Sequence, residues 1–214
     1  MRPLAFRAVP EAPPPDGAYL LALETAAGAI RGRVHPAAGD ASVLWVFGSG
    51  GGLGGPAGGL YARLGGQLQP RGVASLEIDY RRPGSLTPCV EDVLTGIEHL
   101  KALGKRRIVL VGHSFGGAVV ITAGVLSDDV VGVAALSSQR SGTSAVAELA
   151  PRPLLVAHGE ADEVLPAQCS QDIYARAQEP KRLVLYPGCR HGLDQCREAL
   201  GRDVSDWLAQ TLAL

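Results

Sequence analysis

Residues 108–117 read IVLVGHSFGG: an apolar run ends in a serine, Ser114, held between Gly112 and Gly116. A lone hydroxyl is a poor nucleophile. It attacks a carbonyl when an imidazole takes its proton and a carboxylate orients that imidazole and stabilises its charged form. Both partners stand further along the chain. Asp162 lies in GEADEVLP, after the apolar run PLLVAH, and His191 lies in PGCRHGL, after RLVLY. Of the five histidines, His191 alone has this place. His113 sits inside the serine turn, and His158 ends its run, where a hydrogen-bonded structural role is expected. Glu160 and Glu163 stand beside Asp162 as alternative acids. Acyl transfer also needs preorganised backbone N–H groups for the oxyanion. Phe115, directly after the serine, is one expected donor. The other is Ser49 or Gly50 in GSGGGLGG, where glycines let the backbone approach a substrate closely. Purely structural readings exist for each residue: a helix N-cap for Ser114, a cap near Pro166 for Asp162, a packed or surface position for His191.

Groups so far apart in sequence must be gathered by a scaffold, and the hydropathy pattern shows which. Near-continuous apolar runs span 42–47, 73–80, 107–112, 130–136, 153–158 and 182–186, as expected of parallel strands buried on both faces. Helical spacing falls between them. From Thr87 to Leu103 the residues Val90, Val93, Leu94, Ile97, Leu100 and Leu103 share one face; Thr87 is the expected N-cap and Gly104 the stop. Leu60, Leu64 and Leu68 mark a second helix, GAVVITAGVL a buried third, and the stretch from Leu193 through Leu208 the last. Alternation of this kind predicts an α/β fold: a doubly wound, mostly parallel sheet of about seven to eight strands with helices on both faces. The segment YLLALETAAGAIRGRVH reads as an antiparallel lead-in, joined through the proline-rich PEAPPPDG. One domain over residues 1–214 is expected.

Composition narrows the partners. A formal charge of −1 leaves no basic excess for a phosphate backbone or an anionic membrane surface. No apolar segment is long enough to span a bilayer, and the N-terminus lacks an export signal's apolar stretch. A cytoplasmic protein acting on a small molecule, as monomer or homodimer, is the expectation. The four cysteines, Cys89, Cys169, Cys189 and Cys196, form no disulfide pattern and are expected as reduced, packed thiols. Zinc at Cys189 and Cys196 lacks the paired ligand spacing. Arg81, Arg82 and Arg140 are expected on the solvated surface, with anion binding at the site mouth as the alternative.

The motifs FGSGGG, DYR, GHSFGG, HGEADEVLP and CRHGL together resemble those of the α/β-hydrolases, over nearly the whole chain. The resemblance implies Ser114 as nucleophile, Asp162 as acid and His191 as base of a serine esterase, with no metal or organic cofactor. Thioester or amide cleavage on the same triad is the nearest alternative, and a non-catalytic binding protein on the same fold the next. Two departures stand out. Phe47-Gly48 replaces the His-Gly that relatives often carry, and only Ser137 to Ala150 stand where many relatives insert a helical lid. A capless, open site follows, as in members resembling dienelactone hydrolases, whose nucleophile however is cysteine. A competing fingerprint, Gly50-x-Gly52-x-x-Gly55 with Asp79 ending the next strand, would suit a nicotinamide cofactor, but Pro56, Gly58 and Gly59 follow where that motif needs a running helix.

Overall fold

The computed structural model describes residues 1–10 and 17–214, so most of the proline-rich joint lies outside the described residues. The strands are β1 (Phe6–Pro10), β2 (Tyr19–Thr25), β3 (Gly28–His35), β4 (Ala41–Val46), β5 (Ala74–Asp79), β6 (Arg107–His113), β7 (Val130–Leu136), β8 (Leu154–Gly159) and β9 (Lys181–Tyr186). They form one sheet in the order β1-β2-β3-β5-β4-β6-β7-β8-β9. Pairing is antiparallel from β1 to β5 and parallel from there to β9. The strand beyond the expected number is β1, whose half-exposed FRAVP shows no apolar run.

Among the described residues five α-helices flank the sheet: α1 (Pro56–Leu68), α2 (Leu86–Ala102), α3 (Phe115–Val125), α4 (Gln168–Arg176) and α5 (Arg197–Thr211). Side chains alternate across a strand, so β4 feeds both layers. Leu44 and Val46 join a core with α2, α3 and α4, while Val43 and Trp45 join a second core with α1 and α5. All six residues of β4 are buried in consequence. Two helix boundaries differ from expectation. The N-cap of α2 is Ser85, because the Ser85 carbonyl already accepts the Cys89 N–H; Thr87 and Pro88 fall inside the first turn. The last helix starts at Arg197 and not near Leu193, which adopts a left-handed φ of 60°. No lid stands between β7 and β8, only loop and the short 3-10 turn Val146–Leu149. Among the described residues no helix is long and apolar enough to cross a membrane.

Candidate active site

The parallel strands β6, β8 and β9 end at the same edge of the sheet, with β7 between β6 and β8, and each hands its next loop one polar group. β6 runs into Ser114, whose φ of 58° and ψ of −121° form a tight, strained turn into α3. That turn explains both flanking glycines. A Cβ on Gly112 would lie 2.1 Å from the Gly116 carbonyl oxygen, and one on Gly116 would lie 2.3 Å from that of Phe47. The backbone is tied down by Ser114 N–H donating to Leu136 O at 2.8 Å.

Ser114 Oγ lies 3.1 Å from His191 Nε2, and His191 Nδ1 lies 2.7 Å from Asp162 Oδ2. A carboxylate only accepts, so Nδ1 carries the hydrogen and Nε2 is left to accept from the serine hydroxyl. Asp162 Oδ1 takes the N–H groups of Val164 and Leu165, both at 2.8 Å. Burial pushes the Asp162 carboxyl up, but the Leu165 N–H, His191 and the Val164 N–H together hold it below the usual range. Of the alternative acids, Glu160 is exposed, and Glu163 accepts the backbone N–H of His191 at 3.2 Å. Asp162 is therefore the carboxylate that meets the imidazole.

The glycine loop after β4 lies across from this row. Gly51 N–H closes a turn on Gly48 O at 3.0 Å, Gly52 N–H donates to Asp79 Oδ1 and Gly54 N–H to Glu77 Oε2, both at 2.6 Å. Among the described residues the N–H groups of Ser49, Gly50 and Phe115 donate to no protein acceptor. A cleft of about 200 Å³ is lined by Phe47, Gly48, Ser49, Gly50, Gly51, His113, Ser114 and His191. A larger hollow of about 290 Å³ lies among Leu154, Lys181 and Trp207, at the strands' opposite end. The dinucleotide reading fails on this geometry. Ala57, Gly58 and Gly59 are all left-handed where a phosphate-binding helix would begin, and Asp79 is committed to the loop's own backbone.

Two features escaped the sequence. His113 Nε2 donates to the His191 carbonyl at 2.9 Å, and its ring centroid lies 4.9 Å from that of His191 with the planes tilted 49°. Its one sequence signal was its place beside the serine. Cys189 and Cys196 form a disulfide with Cα atoms 5.7 Å apart, which corrects the expectation of reduced thiols and removes both as zinc ligands. The reason is local: the loop carrying His191 folds back on itself, so residues seven apart meet. Cys89 and Cys169 are free. Arg81 is neither on the solvated surface, as expected, nor at the mouth: its side chain is largely buried because its guanidinium pairs with the buried Asp92.

Burial lowers the pKa of His113 from 6.5 to about 4. Between those values the unfolded chain binds more protons than the native one, so stability falls as the pH drops through the window. For this ring the loss amounts to roughly 3 kcal/mol over the full window. Urea titrations at several pH values should show a shallower fall for His113→Gln than for wild type; equal slopes would refute the assignment.

Comparison with known proteins adds the following. A family model described as "Serine aminopeptidase, S33" matches residues 134–195. The uncharacterized protein YfhR of Escherichia coli K12 is 32% identical over 124 residues, covering 47% of this chain and 44% of that one. Its Salmonella typhi counterpart is 28% identical over 165 residues, covering 58% and 56%. The matches thus span about half the length of these curated relatives. Among solved structures, a cold-adapted esterase from an Arctic intertidal metagenomic library superposes with a TM-score of 0.75 at 16% identity, covering 98% of this chain and 100% of that one. Est1E from Butyrivibrio proteoclasticus gives 0.72 at 17%, covering 87% and 96%. A dienelactone hydrolase from Anabaena variabilis gives 0.73 at 17%, covering 97% and 98%.

Proposed function

We propose that this chain, an α/β-hydrolase by fold, is a serine hydrolase that cleaves small carboxylic esters through an acyl-enzyme on Ser114. The observation that carries the reading is the unbroken chain of hydrogen bonds from Ser114 Oγ through His191 to Asp162, at 3.1 and 2.7 Å. In this reading His191 Nε2 removes the hydroxyl proton as Oγ attacks the carbonyl carbon, and Asp162 stabilises the imidazolium. The oxyanion is received by the Phe115 N–H and by that of Ser49 or Gly50. His191 then returns the proton to the leaving alcohol. Water, deprotonated by the same imidazole, releases the acid. These steps require no metal or organic cofactor.

Residues 1–214 act here as one catalytic domain, a reading supported by the nine described strands lying in one sheet. A cytoplasmic address belongs to the reading, and the Cys189–Cys196 disulfide stands against it, since thiol reductants there keep such bonds rare. A second reading, cleavage of an amide, draws on the match to the serine aminopeptidase family over residues 134–195.

The test is exposure to a fluorophosphonate followed by intact-mass and peptide mapping. One stoichiometric adduct on Ser114 is expected, after which p-nitrophenyl esters, thioesters and aminoacyl anilides rank the acyl bonds. A folded protein that takes no adduct would instead be a binding protein on this fold.

A further inference from the structure

His158, near the end of β8 and four residues before Asp162, has a fully buried side chain, as does Asp162 itself. Its Nε2 lies 3.0 Å from the Leu165 carbonyl oxygen and 3.0 Å from Asp162 Oδ2. Neither oxygen can donate, so Nε2 carries the hydrogen. Nδ1 lies 2.6 Å from Oγ of Ser170, itself fully buried in the first turn of α4. Burial lowers the pKa of this imidazole, which keeps it neutral. Nδ1 is then a lone pair, and the Ser170 hydroxyl donates to it. Asp162 Oδ2 thus lies between two imidazoles, accepting from His191 Nδ1 at 2.7 Å and facing His158 Nε2 at 3.0 Å, whose hydrogen is directed to Leu165 O. Leu165 closes the arrangement by accepting from His158 while its N–H donates to Asp162 Oδ1.

We infer that His158, anchored by Ser170, is a positioning residue that pins the Asp162 carboxylate in the orientation that serves His191. The inference rests on the serine-hydrolase reading. His158 is not among the residues that line the cleft, so it acts only through Asp162. Without the ring, Leu165 O and Ser170 Oγ lose their partner, and Oδ2 loses the polar nitrogen that faced it at 3.0 Å. The carboxylate is then free to turn, and the imidazole it orients is misaligned for a larger share of encounters. Proton removal from Ser114 slows while substrate binding does not change.

The experiment first labels wild-type protein with a fluorophosphonate, then measures kcat, KM and Tm for His158→Leu, His158→Gln and Ser170→Ala on a p-nitrophenyl ester. His158→Leu should lower kcat by about tenfold or more, the scale seen when a group that orients an active-site ligand is removed. KM should stay put. Glutamine places an N–H near the Nε2 position and should restore most of kcat. Ser170→Ala, which keeps the ring and removes its anchor, should give a smaller loss in the same direction and covers the case in which the leucine variant does not fold. Unchanged kcat in the leucine and alanine variants would overturn the inference, as would losses that follow Tm alone with no rescue by glutamine. A wild-type protein that takes no label would overturn the serine-hydrolase reading and this inference with it.

Discussion

Replacing Ser114 by alanine is expected to lower kcat for a p-nitrophenyl ester by about 10⁶-fold, and Asp162→Asn by about 10⁴-fold, with the fold intact in both. On the proposed reading, the serine variant removes the atom that would form the acyl-enzyme. The second variant is the more informative. Asp162 accepts three hydrogen bonds, from the Val164 and Leu165 N–H groups at Oδ1 and from His191 at Oδ2, with His158 Nε2 3.0 Å from Oδ2. An amide has one oxygen. The two backbone N–H groups are fixed by the turn and claim it, so the NH₂ faces His191. The imidazole must then offer a lone pair at Nδ1, its hydrogen moves to Nε2, and Nε2 can no longer take the proton of Ser114. Steady-state kinetics with circular dichroism as a fold control measures this. An asparagine variant within tenfold of wild type would remove Asp162 from the triad.

Gly116→Ala is expected to cost roughly 4 kcal/mol or more, the range reserved for severe packing damage, and to lower Tm by about 10 °C. The new Cβ would lie 2.3 Å from Phe47 O and 2.9 Å from Val46 O. Those are backbone atoms at the end of β4, so they cannot rotate aside as a side chain would. Relief requires moving either α3 or the start of the glycine loop, and both border the cleft. Gly66→Ala is the control. It lies in α1 with nothing within 4 Å of the added Cβ, so alanine should be neutral or stabilising by up to about 1 kcal/mol. Equal Tm values for the two variants would show that the close approach at Gly116 is not a constraint.

The inner strands were legible because burial on both faces leaves an uninterrupted apolar run. β1 was not, because an edge strand with half-exposed residues has no such signature. Ser114 could be singled out because its glycine-flanked turn falls between a buried apolar strand and an apolar helix, a context that the pattern by itself does not supply. The acid could be narrowed to three neighbouring carboxylates but chosen only by resemblance. In the structure Glu163 bonds the backbone of His191, while Asp162 alone reaches its ring. The disulfide was illegible for a related reason. Cys189 and Cys196 have no spacing that demands pairing, and they meet only because the loop around His191 doubles back.

By itself, the order of apolar runs determined a parallel sheet with helices on both faces, and with it the carboxyl ends where Ser114, Asp162 and His191 must emerge. Hydrophobic periodicity is local, and a few residues suffice to state it. Only the tertiary structure decided which hydrogen carries which bond: the His191 tautomer, the His113 N–H on the His191 carbonyl, and the His158 ring between Ser170 and Asp162. Those choices depend on atoms brought within 3 Å by strands distant in sequence, and hydrogen-bond direction is set by the partner, not by the residue.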